Sequence, residues 1–112
     1  MNKVVVLGRI TKDPELKFVQ TNGKVFTKVT LAVERPFKNE KGERETDFIP
    51  VIFWGRKAEI VCQYMTKGRQ LSVGGRLQTR FYDDTEGKKR FAAEVVASDF
   101  QFVDKKTAEE IV

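Results

Sequence analysis

The sequence predicts a small all-β domain with one short helix, on three observations. Apolar and β-branched residues come in short runs separated by Gly, Asn, Asp and Pro, the punctuation of strands and turns. Only residues 56–67 show clear helical spacing, with Ala58, Val61, Cys62 and Met65 at i, i+3, i+4 and i+7. That stretch lies between the third and fourth long strand-like segments. One helix so placed in a small β chain is the organisation of an OB-fold, a five-stranded Greek-key barrel.

The first strand covers roughly residues 2–10, and Val4, Val5, Val6 and Leu7 give it apolar side chains on both faces. A lone barrel buries one face only, so the other needs a partner. Gly8 is the expected point of sharp coiling or bulging in this strand. Thr11-Lys12-Asp13-Pro14 is turn chemistry, residues 15–19 are placed as a short extra strand, and Thr21-Asn22-Gly23-Lys24 is an Asn-Gly hairpin signal.

The second long strand covers roughly residues 25–35. Val25, Thr27, Val29, Leu31 and Val33 form its core face, and Phe26, Lys28, Thr30, Ala32 and Glu34 a mixed one. Residues 36–46 read as a charged loop with one large aromatic, Phe37, which either closes the barrel end or binds something. The run Phe48-Ile49-Pro50-Val51-Ile52-Phe53-Trp54 is a third strand that is apolar on both sides. Ile49, Val51 and Phe53 suffice for the core, which turns Phe48 and Trp54 outward.

Gly55 breaks that strand and starts the helix. Glu59 suits its first turn and Lys67 its last, and Gly68 is the expected left-handed cap. Cys62, the single cysteine, sits on the apolar stripe and reads as a buried structural thiol. The fourth strand runs from Leu71 to Tyr82, with Arg76, Gln78, Arg80 and Tyr82 on one face and Leu71, Val73, Leu77 and Phe81 on the other. Asp83-Asp84-Thr85-Glu86-Gly87 turns the chain into a fifth strand, residues 91–103. The domain is therefore placed at residues 1–104, with residues 105–112 as a short, polar, flexible tail.

Composition narrows the function. At 112 residues the chain has the length of one domain, and its 40% hydrophobic and 33% charged residues are those of a globular protein. No apolar run approaches membrane-spanning length, and the opening strand is too short and too β-branched for a signal peptide, so a cytoplasmic location and no membrane partner are expected. There is no histidine, and the one cysteine has no partner for a triad or a zinc site. No catalytic residue, metal or cofactor is expected. The acids Asp83, Asp84 and Glu86 read as solvated turn residues rather than metal ligands, and Gly74-Gly75-Arg76 lacks the rest of a phosphate loop.

What remains is aromatic residues interleaved with cations in a chain of net charge +5. Phe48 and Trp54 share a strand face, Tyr82 ends the face that carries Arg76 and Arg80, and Phe37 lies in the preceding loop. Unpaired bases stack on aromatic faces while Lys and Arg follow the phosphates, so this pairing of residue types points to a single-stranded nucleic acid.

The same residues carry a resemblance. Asn2-Lys3-Val4, Leu7-Gly8-Arg9-Ile10, Asp13-Pro14-Glu15, Thr30-Leu31-Ala32, Trp54-Gly55-Arg56 with Ala58-Glu59, Tyr64 with Lys67-Gly68, Gly75-Arg76-Leu77 with Thr79-Arg80, and Glu94-Val95-Val96 follow one another in the order seen in bacterial single-stranded DNA-binding proteins. The resemblance implies an OB-fold homotetramer that wraps and protects single-stranded DNA without sequence preference, in replication, recombination and repair, near the nucleoid. It implies base stacking on Phe37, Phe48, Trp54 and Tyr82, and phosphate contacts from Arg56, Lys67 and Arg80; Lys3 and Arg76 join them as expected phosphate contacts. Two departures stand out. Pro50 stands where family members can carry a basic residue, and the family's linker and acidic tail have only a faint counterpart in Glu109-Glu110-Ile111-Val112. Recruitment of replication and repair proteins through such a tail is accordingly not expected. Two other readings stay open: an RNA-binding or primosomal OB-fold, and an OB-fold adapter that binds protein through its charged loops.

Overall fold

The structure is a computed structural model and describes residues 1–103. The expected polar tail and the Glu109-Glu110-Ile111-Val112 tip lie outside the described residues. The elements are β1 (Val4–Ile10), β2 (Lys17–Phe18), β3 (Val25–Lys38), β4 (Arg44–Trp54), α1 (Arg56–Tyr64), β5 (Gln70–Asp83) and β6 (Lys89–Phe102). They form one sheet in the order β1-β5-β6-β4-β3-β2, and a further β1–β3 pairing closes it. Five long strands and one helix thus make the OB barrel, with β2 as a two-residue addition to its edge.

Closure depends on β1 changing partners. Val4 to Arg9 pair with β5, while Arg9 and Ile10 also pair with Ala32 and Leu31 of β3. Gly8 is where the backbones crowd: a Cβ there would lie 2.7 Å from the Ala32 carbonyl oxygen and 2.9 Å from Val33 Cγ2. Glycine therefore permits the sharp coiling expected of this strand. The opposite seam is a short parallel pairing of Val51 and Ile52 with Val95 and Val96.

The barrel interior holds Ile10, Val29, Leu31, Val51, Phe53, Leu71, Val73, Val95 and Ala97, and α1 closes it with Ala58, Val61 and, just past its end, Met65. Phe53 is fully buried and meets Phe100 edge-to-face at 5.5 Å between ring centres. Thr27 is also fully buried, and its hydroxyl donates to the Glu15 carbonyl at 2.8 Å, so the inward polar group is satisfied.

Several expectations need correction. The helix ends at Tyr64, and Met65 is already extended, so neither Lys67 nor Gly68 caps it. The backbone of Lys67 donates to the Asp13 carboxylate and that of Gly68 to the Ile10 carbonyl, at 2.8 and 2.7 Å. These tertiary bonds replace another helical turn, and Gly68 uses its positive φ of 91° in the following bend. Cys62 is only half-buried. Leu77 and Phe81 do not reach the core: the β5–β6 hairpin outruns the barrel, leaving Leu77, Phe81 and Phe91 exposed, with the two phenylalanine rings 5.4 Å apart. The charged loop is also shorter than expected, because β3 runs to Lys38 and β4 begins at Arg44.

Both hairpins are thus long arms with similar tips. The Asn39 side chain accepts the amides of Lys41 and Glu43 at 2.9 and 3.0 Å, and Gly42 supplies a positive φ of 80°. At the other tip Asp84 accepts the amides of Glu86 and Lys88, both at 2.9 Å, and Arg90 Nε at 2.8 Å. Asp84 is therefore occupied as a turn residue. Further down the first arm, the Arg35 guanidinium forks onto Asp47 at 3.0 and 2.9 Å and also reaches Glu45.

Candidate nucleic-acid interface

The β3–β4 register builds the site. It sets Phe26 opposite Trp54, Lys28 opposite Ile52, Thr30 opposite Pro50 and Ala32 opposite Phe48. Thr27, Val29 and Leu31 between them point into the core, so these pairs form the outer face. The sheet continues through Ile52–Val96 and Val96–Arg76 to a second set of outward pairs: Glu94 with Gln78, Ala92 with Arg80, and Arg90 with Tyr82. One surface therefore runs from the Phe26–Trp54 pair, over a floor that includes buried Ile52, to Arg80 and Tyr82.

Phe48 is 64% exposed, whereas Trp54 is 40% exposed because Phe26 leans on its indole, 5.2 Å between ring centres and tilted by 42°. Ile49, Val51 and Phe53 do face inward, which leaves Phe48 and Trp54 free of core duty. Tyr82 stands on the second arm with the Arg80 guanidinium 5.1 Å from its ring centre. Phe37 is also exposed and lies near the end of the first arm, past an irregularity between Glu34 and Lys38.

The cations divide similarly. Arg76 and Arg80 are on the outer face. The Asn2 side chain brackets Leu77, donating to its carbonyl and accepting its amide, both at 2.8 Å. The β1–β5 register, continued by one residue, sets Lys3 opposite Arg76. Arg56 follows Trp54 on the first turn of α1, where it pairs with Glu59 at 3.0 Å and stays largely exposed. Lys67 lies beyond the other end of α1, tied through its amide to Asp13.

Sequence reasoning missed Phe26, Lys28 and Glu94. Phe26 buttresses Trp54, and its place on the mixed face of its strand was the available signal. Glu94 is buried beneath two cations, with Lys28 Nζ at 3.7 Å and Arg80 Nε at 4.0 Å. No local pattern announces that link, because Lys28, Arg80 and Glu94 come from three strands. Electrostatically the face is cationic with one internal carboxylate. At its margins, the hydrogen bond from Arg35 holds the Asp47 carboxyl below the usual range, with Asp47 in turn raising Arg35. The hydrogen bond from Arg90, then the Lys88 amide, does the same for Asp84.

The arrangement offers flat aromatic surfaces beside flexible cations on an open sheet. It suits a chain of bases and phosphates lying across the barrel. Comparison with known proteins gives the same indication. The single-strand binding protein family matches residues 1–103. Single-stranded DNA-binding protein 3 of Clostridium acetobutylicum is 51% identical over 104 residues, 93% of this chain and 72% of the relative. The single-stranded DNA-binding protein of Clostridium tetani is 47% identical over 104 residues, 93% of this chain and 71% of the relative. Single-stranded DNA-binding protein 1 of Clostridium acetobutylicum is 45% identical over 106 residues, 95% of this chain and 96% of the relative.

Proposed function

Because the chain belongs to the single-strand binding protein family, we propose that it binds and wraps single-stranded DNA without sequence preference, in replication, recombination and repair. The observation that carries this reading is the outer face itself, with Phe48 and Trp54 exposed on β4 and Arg76, Arg80 and Tyr82 continuing it on β5. Bases of any kind stack on the aromatic rings and the cations follow the phosphates, so affinity does not require base-edge recognition. Lys3 extends the cationic row, Arg56 flanks Trp54, and Phe37 and Lys67 contact more distant nucleotides of a wrapped strand. Residues 1–104 act as the DNA-binding domain.

The functional unit in this reading is a homotetramer. Val5 and Leu7 are 68% and 50% exposed on the outward side of β1. Large apolar side chains on an otherwise polar strand face are best accounted for by a second copy packed against them. No helix among the described residues is long and apolar enough to cross a membrane, and the protein acts where single-stranded DNA is exposed, at the nucleoid in the cytoplasm.

Competition binding tests the proposal. Unlabelled oligo-dT and mixed-sequence single strands should displace a labelled single strand about equally, while duplex DNA of the same length should displace it far less. Equal competition by duplex, or a strong preference for RNA of the same sequence, would contradict it.

A further inference from the structure

We propose that Glu94 gives the outer face a preference for guanine at one nucleotide position, its carboxylate accepting the two adjacent N–H groups of that base's Watson–Crick edge. The inference rests on the reading of the outer face as the DNA-binding surface, and concerns which base that surface favours at one point.

The register fixes where Glu94 stands. It lies opposite Gln78 on β5, and the parallel β4–β6 pairing, continued by one residue, sets it beside Pro50 and hence in line with Thr30. Pro50 lies between Phe48 and Trp54 on the same face of β4. Bases that stack on those two rings turn their edges toward the strip of sheet that includes Glu94.

The carboxylate is enclosed but not satisfied by hydrogen bonds. Its side chain is 10% exposed, yet Lys28 Nζ stops at 3.7 Å and Arg80 Nε at 4.0 Å. Both distances exceed the roughly 3.2 Å of an N–H···O bond, so these are ion pairs only. Its row neighbours Gln78, Pro50 and Thr30 carry no charge. Among the described residues no fully buried polar side-chain atom lacks a partner. The Glu94 oxygens therefore open onto the face, with acceptor positions left to fill.

Base chemistry selects what fills them. Single strands expose their Watson–Crick edges, and guanine alone presents two adjacent donors, N1–H and N2–H, to a pair of carboxylate oxygens. Adenine and cytosine offer one amino group beside a ring nitrogen whose lone pair meets the second oxygen. Thymine offers N3–H between two carbonyl oxygens, which a carboxylate repels. Lys28 and Arg80 stay beside the contact and are free to take phosphates. A wrapped strand cannot place a guanine at every subunit at once, so on long mixed sequences the bias averages out and the surface still accepts any strand.

Competition between short single strands on the full chain tests the assignment. An oligo-dT with one central guanine should bind roughly three- to tenfold tighter than the all-thymine oligomer of the same length. Hypoxanthine at that position lacks the N2 amine and should lose most of the gain, whereas 7-deazaguanine keeps the Watson–Crick edge and should retain it. Glu94→Gln sets an amide donor beside a single acceptor oxygen, and should bind the guanine and all-thymine oligomers with equal affinity. The base analogues need no substituted protein, so they decide the matter even if that variant is unstable. Equal affinities for the unsubstituted chain, or a preference that survives in Glu94→Gln, would overturn the assignment while leaving the outer face intact. A gain lost with 7-deazaguanine would overturn it too, placing the contact at guanine N7, an acceptor for Arg80 or Lys28. If the unsubstituted chain bound no oligo-dT, the proposed function would fall and the Glu94 assignment with it.

Discussion

Glu94 places a carboxylate in the middle of a surface whose nearest charged neighbours are cations, Lys28 at 3.7 Å and Arg80 at 4.0 Å. It holds both cations near the sheet and offsets part of their charge toward phosphate. Glu94→Gln keeps the shape and removes the charge, so it should tighten oligo-dT binding a few-fold and steepen its salt dependence. Weaker binding with an unchanged slope would mean that the carboxylate acts mainly to orient Lys28 and Arg80. Trp54→Ala should cost about 1–3 kcal/mol of binding without unfolding the chain, since the indole lies outside the core. Phe53→Ala, one residue earlier and fully buried, should instead cost about 3–5 kcal/mol of stability. Chemical denaturation and oligomer titration of the two variants separate these effects. This contrast was legible in the sequence, because strand alternation and a core already supplied by Ile49, Val51 and Phe53 leave Trp54 outside. Glu94 was not legible, because its partners are distant in the chain.

At the scale of elements, the two hairpin arms carry the parts of the site farthest from the barrel. Each has an acid–base clamp, Arg35 with Asp47 and Arg90 with Asp84. Hydrogen bonds from those arginines lower both carboxyl pKa values in the folded state. A lowered folded pKa gives stability that is present above the unfolded value, near about 3.9 for Asp, and lost as pH falls through the folded value. Backbone amide exchange at the tips, near Asn39 to Glu43 and Asp84 to Lys88, should therefore accelerate relative to the barrel as the solution is acidified below about pH 4. Exchange that rose equally in the barrel would indicate global unfolding instead. The arms were only partly visible in the sequence. Their turn residues could be read, but strand alternation carries no mark of where a hairpin leaves the barrel, so Leu77 and Phe81 looked like core. The helix end was misread for a related reason, since tertiary bonds from Lys67 and Gly68 decide it.

For the whole molecule, the OB topology followed from the order of strands and the place of the helix, and β1 with two apolar faces raised the question of assembly. Val6 packs against the core while Val5 and Leu7 stay exposed. The chain should sediment as a tetramer at micromolar concentration without DNA, and Leu7→Glu should reduce it at least to dimers. Binding to long strands should weaken with dissociation, because linked sites on one strand gain from effective concentration. A monomer mass for the unsubstituted chain would contradict the assembly.

The central claim is that single-stranded DNA lies on the outer face of β3 and β4. Trp54 is the only tryptophan in the chain and stands on that face, 40% exposed. Its intrinsic fluorescence during titration with oligo-dT is the most direct measurement. The account predicts saturable quenching that is reversed by salt and retained with mixed-sequence strands. Binding detected by another signal while Trp54 fluorescence stays constant would place the DNA elsewhere on the molecule.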